Sequence, residues 1–269
     1  MLPVRRSVDE EPNPTFRRIE PVPGETNLQW LERAHGSERL GERDDVLILG
    51  GAGLADFRVR VAQSHARDDL TPSYWSLVGV VDARNRLLTA PLWPLARPEQ
   101  VPISNGIRSL PLSDFDDPQL WPNIAIVRFA GTHESPVECI RRLRGQRSLV
   151  DLPALVLSWL GFVWGAGSVS NPLVSESGVP SAVLVETAFG IAEVELTPGL
   201  AAASSCPEAI YQAAKWWHTY YKLGAGEVAD AETHQPHGWY TVRQATATYL
   251  EPELPDQGRS TRERGARRR

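Results

Sequence analysis

The sequence predicts an α+β protein in which an antiparallel sheet packs against helices. Two observations carry that expectation. Short apolar runs rich in valine, isoleucine and leucine, each bounded by turn residues, crowd the part of the chain before residue 130. Longer apolar or amphipathic runs that suit helices follow. A hydrophobic content of 42% with 23% charged residues is ordinary for a globular chain.

In chain order, 27–40 reads as a short amphipathic helix, with Leu28, Trp30, Leu31 and Ala34 on one face and Asn27 as its cap. Asp45-Val46-Leu47-Ile48-Leu49-Gly50-Gly51 reads as a buried strand ending in a flexible turn, and 55–66 as a helix. A second strand spans 74–82, and Asn85 marks the turn of a hairpin into 86–90. Further strands fall at 107–112 and 123–129, separated by an acidic, proline-containing turn with Asp114, Asp116 and Asp117. The sheet is therefore expected mainly before residue 130. Helices are expected at 135–143, 152–166 and from Cys206 to about Tyr221, and two strands at 183–196 around Gly190. The stretch 152–166 is strongly apolar but shorter than the roughly 20 residues a membrane-spanning helix needs. It reads as a core helix or an interface, and most of the nine tryptophans, Trp159, Trp164, Trp216 and Trp217 among them, read as core or interface aromatics.

Composition divides the chain into three. Residues 1–25, rich in proline and charge, read as a flexible leader; 26–257 form the folded domain; 258–269, an arginine-rich run without apolar anchors, reads as a disordered tail. The net charge of -5 gives no reason to expect nucleic acid, the tail excepted. Two cysteines make no disulfide framework, the N-terminal residues form no apolar signal, and a reducing, cytoplasmic setting is the expectation. No cofactor is expected. His234 and His237 read as loop residues without the partners of a metal site, Asp44-Asp45 read as turn and solubility residues, and Gly50-Gly51-Ala52-Gly53 lacks the lysine of a phosphate loop.

The residue with the strongest chemical setting is Cys206, in Ser204-Ser205-Cys206-Pro207-Glu208-Ala209-Ile210-Tyr211. A cysteine at a helix N-terminus meets the positive end of the backbone dipole and unpaired amides, both of which favour thiolate. Pro207 suits the first helical turn, and Ser204 or Ser205 can cap it. The competing reading is a small buried cysteine packed under Tyr211 and Trp216.

Residues 44–217 resemble the circularly permuted papain-like proteins of the NlpC type, relatives of lecithin:retinol acyltransferase, in which a histidine-bearing strand precedes the cysteine helix. Asp45-Val46-Leu47-Ile48-Leu49 is similar to their opening strand, and Ser76-Leu77-Val78-Gly79-Val80 to their Ser-His-Val-Gly-Ile strand. The segment 105–115, the strand 124–128 and Ser205-Cys206-Pro207-Glu208-Ala209-Ile210-Tyr211-Gln212-Ala213 follow in the same order. The resemblance implies a papain-like fold in permuted order, with Cys206 at the nucleophile position. It also implies a departure: Leu77 stands where the family has its histidine, and leucine neither accepts nor returns a proton.

The expectation is thus a pseudoenzyme, a disarmed cysteine-hydrolase scaffold that binds a protein partner, a peptide or a lipid-like group. One alternative is a working thiol hydrolase or acyltransferase with Cys206 as nucleophile, His65 as base, and Ser76 or Asp82 as orienting groups. Leu77, Ser76, Asp82 and Glu208 are the expected pocket residues. The other alternative is a structural subunit of a larger bacterial assembly, docked through leader and tail. His133 reads as solvent-facing, and His218 lies three turns from Cys206 on the same helix, out of direct reach.

Overall fold

The computed structural model describes residues 16–19, 21–36, 40–42, 44–92, 106–129, 134–145, 151–165, 169–224 and 237–242. Its strands are β1 (Phe16–Arg18), β2 (Val46–Gly50), β3 (Leu77–Asp82), β4 (Arg86–Thr89), β5 (Arg108–Pro111), β6 (Asn123–Arg128) and β7 (His237–Val242). Its α-helices are α1 (Asn27–His35), α2 (Leu54–Ala62), α3 (Pro136–Gly145), α4 (Leu152–Trp164), α5 (Pro180–Ile191) and α6 (Pro207–Gly224). The protein is α+β, as the sequence predicts. One sheet runs β1-β7-β6-β2-β3-β4-β5. From β7 to β5 every neighbouring pair is antiparallel, while β1 joins β7 in parallel.

The central strands read as unbroken apolar runs because both faces of the sheet are covered. Val46 and Ile48 of β2, Val78 and Val80 of β3, and Ala125 and Val127 of β6 face one core, shared with α2, α3, α4, α5 and α6. Leu47 and Leu49, Leu77 and Val81, and Ile124 and Ile126 face the other, covered by Trp30, Leu31 and Ala34 of α1 and by Leu112, Phe115 and Trp121. The period of two sets this division: shifting any of these strands by one residue would exchange its two sets.

Several expectations need correction. The segment 183–196 forms no strands; its first part lies in α5. From Pro180 through Phe189 every residue of α5 except Thr187 is buried, so the helix shows no polar stripe and its valines mimic a strand. Pro180 starts it and the Thr187 hydroxyl donates to the Val183 carbonyl one turn back (2.7 Å). Asn27 does not cap α1. Thr26 does, forming a capping box with Gln29, while buried Asn27 Nδ2 donates to the carbonyls of Phe115 and Trp121 (both 2.9 Å). The leader is not wholly free: Phe16–Arg18 is β1, and the Ile19 carbonyl accepts from Trp30 Nε1 (2.9 Å). His237 opens β7 rather than lying in a loop.

Asp45 is no solubility residue either. It is fully buried, accepting from Gly41 N (2.7 Å), from Arg128 Nε (2.9 Å) and Nη2 (2.8 Å), and lying 3.2 Å from His35 Nε2. Arg128 Nη2 is 2.8 Å from the same His35 nitrogen. The cluster ties the end of α1 to the start of β2 and the end of β6. His133, His234 and the tail 258–269 lie outside the described residues.

Candidate functional site

Cys206 stands immediately before α6, where its carbonyl accepts from Ile210 N (3.2 Å). The amides of Ala209 and Glu208 favour its thiolate, and the cap role that the sequence assigned to Ser204 or Ser205 is taken by neither. Those serines are engaged elsewhere: Ser204 Oγ donates to the Glu176 carbonyl (3.1 Å) and Ser205 Oγ to Glu186 Oε1 (3.1 Å). The expected activation by the helix dipole does not prevail. Cys206 is 3% exposed, and burial pushes its thiol up to about 12, with the charges of Glu208 and Glu186 adding to the rise against the two amides. At neutral pH the sulfur therefore keeps its proton.

Leu77 does not stand opposite Cys206. It points into the core beneath α1, whereas Cys206 belongs to the core on the other face of the sheet. The residues of β3 on the Cys206 side are Val78 and Val80, with Ser76 just before the strand, and none of them is an imidazole. Among the described residues no histidine hydrogen-bonds to Cys206 or pairs with it. His65 sits exposed in the 3-10 turn Ser64–Ala66, and His218 lies on α6 itself.

What surrounds the start of α6 is a buried polar network. Gln63, fully buried at the end of α2, donates from Nε2 to the carbonyls of Val59 (3.0 Å) and Trp75 (2.8 Å), and accepts at Oε1 from Glu208 N (2.9 Å). One amide side chain thereby joins α2, the entry to β3 and the first turn of α6. Glu208, also fully buried, accepts from Ser73 Oγ (2.6 Å) and Gln212 Nε2 (2.6 Å) and lies 3.6 Å from Arg67 Nη1. Burial raises its carboxyl and Arg67 opposes that rise. Arg67 also pairs with Asp69 (2.9 Å) and lies 4.6 Å from the centre of the Tyr74 ring. Tyr211, one turn into α6, packs on Trp75 with ring centres 4.8 Å apart.

The other expected pocket residues serve the scaffold. Ser76 Oγ donates to Asp56 Oδ1 (2.5 Å) and accepts from Gly51 N (3.1 Å). Asp56 is held up to about 7, chiefly by burial, with Ser76 and Arg60 pulling down. Its carboxyl lies against Gly51, where an added Cβ would come within 2.3 Å of it, so this stretch is closely packed rather than flexible. The carboxyl itself occupies the start of α2 that a phosphate would need. Asp82 caps the β3–β4 turn by accepting from the amides of Arg84 (2.9 Å) and Arg86 (3.0 Å), and pairs with Arg141 (3.1 Å). Among the described residues no cluster of histidine, cysteine and acidic side chains could hold a metal, and no helix is long and apolar enough to cross a membrane.

Glu186 escaped the sequence reading. It is the only charged residue between Glu176 and Glu193, an isolated acid in an apolar run, and that isolation was the available signal. Buried in α5, it accepts at one oxygen from Thr197 Oγ1 (2.6 Å) and Ser205 Oγ (3.1 Å), and burial raises it to about 7. Comparison with family models, with curated proteins and with solved structures found no match for this chain.

Proposed function

We propose that this protein is a non-catalytic binding scaffold, a papain-like cysteine-hydrolase architecture in permuted order whose nucleophile position has become structural. The observation that carries the proposal is the state of Cys206: sealed, protonated at neutral pH and, among the described residues, without an imidazole partner. Thiol catalysis needs a thiolate and a group that returns a proton to the leaving atom. Among the described residues neither requirement is met, whichever of Ser76, Leu77 and Val78 stands for the histidine.

A surface supports the binding half of the proposal. No charged residue occurs between Asp151 and Glu176. From that run Leu157 (59% exposed), Trp164 (65%), Val169 (44%) and Val174 (75%) reach solvent. Exposed apolar side chains gathered in an uncharged run suit a protein partner.

The test is turnover of activated esters, thioesters and amides by the full chain beside Cys206→Ser. Equal background rates are expected. A Cys206-dependent rate above that background would defeat the scaffold reading and restore the hydrolase or acyltransferase alternative. His65→Ala should leave thiol reactivity unchanged, because His65 is exposed and Cys206 is not.

A further inference from the structure

α4 lies open along one face. Asp151, Ser158 and Gly165 stand two turns apart, so they form a line along the helix, and all three are exposed. Beside that line Ala154, Leu157 and Trp164 are exposed too. Val169 flanks it, with one methyl 3.8 Å from where a Cβ on Gly161 would stand. The opposite face of α4, with Val156, Trp159 and Val163, is buried in the core.

The two ends of the line carry opposite charges, and no residue from Leu152 to Ser175 is charged. At the start Asp151 caps the helix, one oxygen accepting from Ala154 N (3.1 Å). At the end half-buried Arg58 of α2 donates from Nη1 to the Val163 carbonyl, and a Cβ on Gly165 would fall 3.1 Å from that nitrogen. Among the described residues no carboxylate pairs with Arg58 and no cation pairs with Asp151.

We propose that this face docks on the same face of a second copy of the chain, the two α4 helices lying antiparallel about a two-fold axis at Ser158. A two-fold interface has to be complementary to itself. Asp151 and Gly165 lie on either side of Ser158, each about 10 Å along the helix. The rotation therefore carries each Asp151 to the Arg58 at the end of the other copy's α4. Two ion pairs close the ends, and Leu157 and Trp164 of both copies leave water between them. An anionic lipid surface would repel Asp151. A different protein has no need of opposite charges placed symmetrically about one residue. The contact is one helix long, about 20 Å, so the dimer is a micromolar one rather than an obligate one. It rests on the binding half of the scaffold reading, that this face meets protein; the catalytic half is decided by turnover, which association leaves untouched.

Sedimentation velocity of the full chain from roughly 1 to 300 µM should show the mass rise from one chain to two. Leu157→Arg and Trp164→Arg, at exposed positions, should each raise the dissociation constant about 10-fold or more with thermal unfolding unchanged. Arg58→Glu should weaken the dimer, and adding Asp151→Arg to it should bring the constant back within about threefold of wild type, since the exchange restores both pairs. Ser158→Cys should form a disulfide-linked dimer under mild oxidation, native Cys139 and Cys206 being buried. Ala154→Cys should not, because the antiparallel arrangement sets the two copies of this residue about 12 Å apart along the axis. Nor should exposed Gln119→Cys, beside Trp121 of the other core. A chain that stays monomeric across the range, whether or not it floats with phosphatidylcholine–phosphatidylserine vesicles, would overturn the dimer and leave the Cys206 comparison standing. A dimer that ignores Leu157→Arg, or that cross-links through Ala154→Cys or Gln119→Cys as readily as through Ser158→Cys, would overturn this interface. So would a folded charge-exchange variant that stays as weak as Arg58→Glu.

Discussion

Replacing Gln63 with leucine tests the network that seats Cys206, because the two side chains are similar in size and differ mainly in hydrogen bonding. The substitution removes the acceptor of Glu208 N and the donor to the Trp75 carbonyl, both in fully buried surroundings. The Val59 carbonyl loses the same donor, because the Gln63 backbone amide turns to the Arg60 carbonyl rather than to Val59. A buried polar group left unpaired costs about 1–3 kcal/mol. With three buried groups each losing a partner, the expected destabilisation is about 3 kcal/mol or more, a large share of the roughly 5–15 kcal/mol that holds a domain together. Urea unfolding followed by tryptophan fluorescence gives the number directly, and an unchanged urea dependence keeps the comparison within one folded state. A loss below about 1 kcal/mol would refute the reasoning, since it would mean that α2, β3 and α6 are not joined through this amide.

Three further outcomes follow from the same physics. Glu186 has its proton affinity raised by folding, so its contribution is full below about 4.5 and is lost as pH rises to about 7; the stability difference between wild type and Glu186→Gln should shift by about 3 kcal/mol toward the variant across that window in urea titrations, and a difference independent of pH would contradict it. Gly178→Ala should destabilise by about 2 kcal/mol or more in thermal unfolding, because its Cβ would collide with the Ser205 carbonyl; a neutral result would mean that the residues before α6 and those before α5 are not paired as described. Asp45→Asn removes the buried charge that the Arg128 guanidinium pairs with and should cost about 3–5 kcal/mol, whereas a loss under about 1 kcal/mol would assign Asp45 to the solvated surface.

Much of the sheet was legible. Val46, Ile48, Val78, Val80, Ile124 and Ile126 lie in runs too short for helices and bounded by glycine, aspartate or asparagine, and all six fall in strands. The β3–β4 hairpin announced itself through Asn85, whose positive φ of 56 the side chain tolerates. β7 was not legible, because His237-Gly238-Trp239-Tyr240 carries no alternating apolar pattern and the strand exists by pairing with β6. The helical nature of α5 was hidden by its burial, since a helix surrounded by protein needs no polar face.

By itself the sequence determined the α+β class, the position of most strands and the start of a helix just after Cys206, because these depend on local pattern and on Pro207. Only the tertiary structure decided what Cys206 can do. Which face of β3 Leu77 occupies, whether a thiol at a helix start is open or sealed, and which acids lie beside it depend on chain segments far apart in sequence. Burial, which no local pattern reports, outweighs the helix dipole at that sulfur.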